Sequence, residues 1–285
     1  MYLLFLHNKE KNNKYKNKHD TKLINDEKIT EDSNEESNNK FIGNKPNRDA
    51  INNKDNLENE KTWSERKGEE GEEAVNMVLE EYKDDSYIIK GFLYQVFSDE
   101  TSKSAESILH STQIDHILIN NRNVFVIETK NRQGKIKGKT GDREWVQEID
   151  HNNLREKSYK QIFLFENPIK QNHYHINYLH SIFKDNNIKG YNIINVVAFV
   201  NNGELEVIET EKTTERLRIS PWINDNFIIK NGLDNLNTYL SENIKPVNKN
   251  SDDIITILNQ CNSIDEPNAL QMHIEFLNNK ERKDY

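Results

Sequence analysis

Residues 112–130 read TQIDHILINNRNVFVIETK. Two short apolar runs, Ile114–Ile119 and Val124–Ile127, are rich in β-branched residues, and the turn-forming residues Asn120–Asn123 separate them. That is the pattern of a β-hairpin. A symmetric turn centred between Asn121 and Arg122 sets Ile119 opposite Val124 and Ile117 opposite Val126. The same register sets Asp115 opposite Glu128. Lys130 points the same way as Glu128, because side chains alternate faces along a strand. Directly opposed residues have Cβ atoms roughly 4.5–5.5 Å apart. Two carboxylates at that distance on apolar strands repel each other, and a divalent cation between them answers the repulsion best. A hard cation so held polarises a phosphate and lowers the pKa of a bound water. A neighbouring ammonium positions that water or stabilises developing negative charge. Asp115, Glu128 and Lys130 therefore form a candidate phosphodiester-hydrolysis site. The competing reading is an ordinary Asp115–Lys130 ion pair with Glu128 solvated.

The flanking sequence extends this reading in both directions. Thr62 or Ser64 can cap a helix running to about Tyr82, with acidic residues in its early turns. Its two glycines, Gly68 and Gly71, weaken the helix, and close packing against a sheet is the expected reason for them. Residues 87–97 read as an edge strand, and 98–111 as a loop. Gln113 is placed on the face of Asp115, and His116 on the other face as a core residue. After the hairpin come Arg132, Lys135, Lys137, Lys139 and Arg143, with Asp142 the one acid before Arg143. In a chain of net charge −9 this bias is local. It reads as a glycine-hinged ribbon or loop that contacts phosphates, against the competing reading of a solvated hairpin with routine lysines, and with Trp145 anchoring its end in the core. Asn167-Pro168 starts a helix running to about Asp185. Its expected buried face carries Ile169, His173, Ile176, Leu179 and Phe183, while Gln171, His175 and Tyr178 share an adjoining face. His173 and His175 split across the helix, which argues against a zinc site. Residues 190–200 and 205–208 read as a second hairpin about the turn 201–204.

Several of these pieces occur together and in order: GEEGEEAVNMVL (68–79), TQIDHILI (112–119), VFVIETKNRQGKIKG (124–138), Trp145 and NPIKQNHYH (167–175). This set resembles the nuclease-related domain family, NERD, a branch of the PD-(D/E)xK restriction-endonuclease-like superfamily, over about residues 63–210. The resemblance implies an α+β fold, with a mixed β-sheet core flanked by helices in an αβα arrangement. It also implies metal-dependent nucleic-acid cleavage, most naturally of DNA, with Mg²⁺ or Mn²⁺. Carried over residue by residue, it assigns Glu72 as a third acidic residue at the metal site beside Asp115 and Glu128, and Gln171 as a group approaching the active site. Ile114 stands where the motif's name has a proline, as is usual for this branch. The alternative function is a nucleic-acid-binding or scaffold module that keeps the fold without cleaving.

Composition bounds the remainder. Hydrophobic residues make up 34% and charged residues 31% of 285. A fraction that low implies that part of the chain is unpacked. Residues 1–61 carry that signature and read as a disordered Asn/Lys-rich tail. Residues 62–246 read as the nuclease-related domain, completed by Pro221–Trp222 and a helix over 233–240, and residues 247–285 as a helical extension able to pack on the domain or mediate association with another copy or a protein partner. Met1–Leu6 is too short for a signal peptide or membrane span. One cysteine, Cys261, excludes an intrachain disulfide framework and suits a reducing, cytoplasmic setting. Net acidity argues against non-specific coating of nucleic acid.

Overall fold

The computed structural model describes residues 62–283 except 100, 102, 152–157 and 209–226. The expected disordered tail, the short apolar start and Pro221–Trp222 lie outside the described residues. Helix α1 (Trp63–Glu80) opens with a capping box. The Thr62 hydroxyl accepts from Glu65 N (3.2 Å), and the Glu65 carboxylate accepts from Thr62 N (2.6 Å). Gly71, Val75 and Leu79 make its buried stripe. A Cβ on Gly71 would stand 2.7 Å from the Asn131 side chain, so close approach explains that glycine. Gly68 has open space around it, and packing does not explain it.

Strands β1 (Tyr87–Phe97), β2 (Ile108–Asn120) and β3 (Asn123–Lys130) form an antiparallel meander. β2 begins at Ile108, four residues earlier than the loop expected over 98–111 allows. The hairpin register is the expected one, with Ile119 opposite Val124 and Ile117 opposite Val126. Asn120 also pairs with Asn123, so the loop proper is Asn121-Arg122, both with positive φ (49° and 68°). Two left-handed residues in a two-residue loop match the right-handed twist of the strands.

β7 (Asn192–Phe199) joins β3 in parallel, and β9 (Phe227–Asn231) joins β7, giving a mixed sheet of order β1-β2-β3-β7-β9. One face packs on α2 (Pro168–Asp185) and α4 (Asp252–Cys261) through Ile117, Val124, Val126, Ile176, Leu179, Phe183, Ile254 and Leu258. The opposite face packs on α1 and α3 (Leu233–Asn243) through Leu118, Phe125, Ile127, Val75, Leu79, Leu236 and Leu240. The core is therefore a helix–sheet–helix sandwich with a mixed sheet. The extension after residue 246 contributes Ile254 and Leu258 to that core, and Asn262 and Ser263 hydrogen-bond to Leu93 along the outer edge of β1. The last helix is α5 (Ala269–Lys283).

A second sheet of four strands has the order β6-β5-β4-β8, from β4 (Lys135–Lys139), β5 (Glu144–His151), β6 (Tyr159–Glu166) and β8 (Glu204–Ile208). Its inner face buries Ile136, Trp145 and Phe165 against Val197, Phe199 and Ile169. Trp145 is the anchor expected of it: fully buried, parallel to the Phe199 ring, with its Nε1 donating to Lys139 O at 3.0 Å. The expected second hairpin is corrected. β7 and β8 belong to different sheets, and β8 pairs in parallel with β4. Two of the chain's passages between the sheets are short loops, from β3 to β4 and from β7 to β8. The crossings lie side by side, Asn201 Nδ2 donating to Asn131 Oδ1 at 2.8 Å and Val200 N to Lys130 O at 3.0 Å.

Candidate active site at the open end of the β2–β3 hairpin

The β1–β2 ladder omits one pair, Gly91 with Asp115, and Gly91 has φ 73°. Strand alternation breaks there. Ile89 and Phe92, three residues apart, lie in the same core cluster, and so do Ile114 and Ile117. Asp115 therefore sits at a kink. Past the kink, Thr112 and Ile114 take the face towards α2 that was expected for Gln113. The Thr112 hydroxyl lies 2.6 Å from His175 Nδ1.

The three sequence-predicted residues come together. The Asp115 carboxylate accepts from Thr129 N at 2.7 Å, locking it against β3. Glu128 is 1% exposed, and its Oε1 lies 2.5 Å from Lys130 Nζ. Lys130 Nζ also donates to Gln171 Oε1 at 3.0 Å. Gln171 is delivered by α2, whose start is fixed by Asn167 accepting from Ile169 N at 3.0 Å and by Pro168 at its first position. Asn172, fully buried, donates to Val126 O and Val196 O and so sets the rotation of the helix.

The second carboxylate oxygen of Glu128 lies 3.3 Å from His175 Nε2, without the alignment of a hydrogen bond, and both atoms are buried with no hydrogen-bond partner among the described residues. A donated Thr112 O–H to Nδ1 selects the tautomer whose Nε2–H faces this oxygen. His175 is the residue that sequence reasoning missed. It lies one turn from Gln171, and that i, i+4 relation places both on the Lys130–Glu128 pair. The buried face of α2 uses His175 and Asn172 where His173 was expected.

Charge at the site is polarised. Burial pushes the Asp115 carboxyl well above its usual range, and the Glu128 and Glu72 charges push it further, against Lys130 and the Thr129 N–H. Burial acts to raise Glu128 too, but the Lys130 ammonium and the His175 ring outweigh it and hold this carboxyl below the usual range. Of these two carboxylates, Asp115 takes up a proton first. Glu72 lies half-buried on α1. Its carboxyl is raised by burial and by the Glu128 and Glu69 charges, partly offset by Lys130. It is within electrostatic reach of the pair, although α1 packs on the other face of the sheet.

Among the described residues, no three His, Cys, Asp or Glu side chains are gathered tightly enough to enclose a metal ion. The donor set still suits a hard cation, which needs only one or two carboxylates when water and phosphate oxygens complete its shell. The unpartnered Glu128 oxygen is a buried acceptor of that kind.

The basic ribbon proves to be strand β4, flanked by β5 and β8, and no free loop. Lys135 pairs with Glu204 and Glu206, and Lys137 with Glu148 (2.8 Å). Arg132 lies 4.0 Å from the Phe165 ring centre and donates to Gln147 Oε1 at 2.8 Å. Lys139 and Arg143 are exposed. The lysine charges are thus answered largely by acids that strand pairing brings beside them.

His116 is buried on the α1 face, near Thr129 Oγ1 (3.4 Å). Burial lowers its pKa from 6.5 to about 4, against the raising effects of a Glu72 backbone group and the Glu128 charge. A depressed imidazole stays neutral in the fold but charges in the unfolded chain near pH 6.5. Its contribution is therefore intact above pH 6.5, is lost as pH falls to about 4, and levels off below. The loss amounts to roughly 3 kcal/mol. Urea unfolding of wild type and His116→Phe across that window should show the wild type losing that much more stability than the variant.

Residues 67–200 match the family model of the nuclease-related domain, NERD. That stretch is similar to the nuclease-related domain, and the match ends one residue past β7. An uncharacterized protein of Bacillus anthracis is 36% identical over 112 residues, covering 39% of this chain and 43% of that protein. The chain thus matches less than half the length of that relative. No solved structure matches.

Proposed function

We propose that this domain is a metal-dependent nuclease that hydrolyses phosphodiester bonds, with DNA as its first substrate. The observation that carries the reading is the largely buried Asp115–Glu128–Lys130 constellation, with Gln171 orienting the ammonium and one oxygen of Glu128 accepting no hydrogen bond from the described residues. Asp115 and Glu128 are the residues that would hold Mg²⁺ or Mn²⁺, with Glu72 within electrostatic reach of them. Such an ion supplies a Lewis acid for a phosphoryl oxygen and an acidified water. Lys130 donates to the charge that develops on the phosphate. Gln171 keeps Lys130 aimed between its two partners, and His175 steadies the far side of Glu128. Lys139 and Arg143 are the exposed basic residues of that ribbon and would meet the phosphate backbone.

No described helix is long and apolar enough to cross a membrane. Cleavage of supercoiled plasmid, linear duplex, single-stranded DNA and RNA, each with Mg²⁺, Mn²⁺ or EDTA, tests the reading. Metal-dependent cutting that EDTA abolishes is expected. Nucleic-acid binding without cutting in any metal would instead make the chain a binding module of the same fold.

A further inference from the structure

The two sheets treat their edges differently. The outer edge of β1 is closed by Asn262 and Ser263, which exchange hydrogen bonds with Leu93 and Gly91. Among the described residues, strand β6 is the end of the four-stranded sheet and pairs with β5 alone. Six of its eight residues are exposed, including three consecutive apolar ones: Ile162 (44%), Phe163 (37%) and Leu164 (59%). A row of unpaired amides carrying exposed apolar side chains is a template for another strand.

The sequence of β6, YKQIFLFE, specifies which strand. Laid antiparallel on a second copy about a two-fold axis through Phe163, it sets Ile162 of each copy opposite Leu164 of the other. Lys160 of each copy then faces Glu166 of the other, so an apolar centre is closed at both ends by opposite charges. A one-residue slip sets Lys160 against Phe165 and loses both ion pairs, and a parallel arrangement sets like charges side by side. Lys160 rests on Glu148 at 3.2 Å and lies 3.8 Å from Asp150, yet about half of its side chain is exposed. Opposed ion pairs and apolar pairs are what stabilise neighbouring strands, and a two-fold contact must be complementary to itself.

We infer that β6 is a self-association edge, through which two copies pair antiparallel about Phe163 and join their four-stranded sheets into one of eight strands. This inference does not depend on the nuclease reading. The full-length chain, passed over a sizing column with light scattering across a concentration series, should show a mass that rises to twice 33.6 kDa. Glu166→Lys should return the mass to that of one chain, because it opposes lysines at both ends. Within one chain that substitution exchanges the Glu144–Glu166 juxtaposition for an attractive one, so the fold is not at risk. The double variant Lys160→Glu/Glu166→Lys restores the complementarity with signs exchanged and should restore the doubled mass. Phe163→Cys in a Cys261→Ser background should cross-link to itself under mild oxidation. A wild type of single mass at every concentration overturns the inference. So does a dimer that survives Glu166→Lys, or a double variant that stays monomeric.

Discussion

Lys130→Met should lower the rate of phosphodiester cleavage by about 10²–10³-fold at saturating metal, the loss typical when one preorganised donor to a developing oxyanion is removed. The substitution keeps most of the side chain's length and apolar stem and deletes the charge. It also strips Glu128 of its cation. The Glu128 side chain is 1% exposed and that of Lys130 17%, so an uncompensated buried carboxylate remains, at a cost of about 3–5 kcal/mol. Loss of activity and loss of fold must therefore be separated. The paired variant Lys130→Met/Glu128→Gln leaves no orphaned charge and should regain most of the thermal stability while staying inactive. Asp115→Asn should be equally inactive yet at least as stable as wild type in EDTA. It keeps an acceptor for Thr129 N and removes the charge that burial and Glu128 disfavour. Melting curves and single-turnover cleavage on the four proteins decide the matter. Appreciable cutting by Lys130→Met or by Asp115→Asn would sink the assignment of the site.

Trp145→Ala should cost about 3–5 kcal/mol, lowering the melting temperature by about 6–20 °C. The indole is fully buried between Phe199 and Phe165 and is the largest side chain in the interface between the two sheets. Gly138 lies directly against it. A Cβ there would stand 2.3 Å from two ring atoms and 2.5 Å from a third. The ring is held on both sides and through Nε1, so it cannot yield, and Gly138→Ala should cost about 1–3 kcal/mol by overpacking. Trp145→Ala/Gly138→Ala places the new methyl in the space the indole leaves. The double variant should therefore cost less than the sum of the singles by about the Gly138→Ala penalty. Strict additivity in urea melts would mean that the two residues do not share that space.

The hairpin was legible because its register is written locally, in two β-branched runs around an Asn-rich turn. The start of α2 was legible for the same reason, since Asn167 and Pro168 act within one turn. The second hairpin was misread because Asn201–Gly203 has the residues of a turn whether the chain turns back or crosses to another sheet. Which of these it does depends on pairing between residues some 70 positions apart, Lys135 with Glu204. The acids beside the lysine ribbon were illegible on the same ground, because Glu204 and Glu206 are distant in sequence from Lys135 and come beside it only through strand pairing. The kink at Asp115 did leave a trace. Gly91 interrupts an apolar strand, and Ile114 and Ile117 are spaced by three where a strand alternates by two. His175 left one as well, a turn after Gln171, but its chemistry depends on Thr112, which only the kink turns towards α2.

Two short passages of the chain between the sheets run beside Lys130, through Asn131 on one and Asn201 on the other, and Val200 N donates to Lys130 O between them. The candidate site therefore stands where the main chain itself ties the two sheets together. A polymer that bears on the smaller sheet loads the frame at a seam that covalent bonds hold, and the groups that must stay aligned are those least able to be pushed apart.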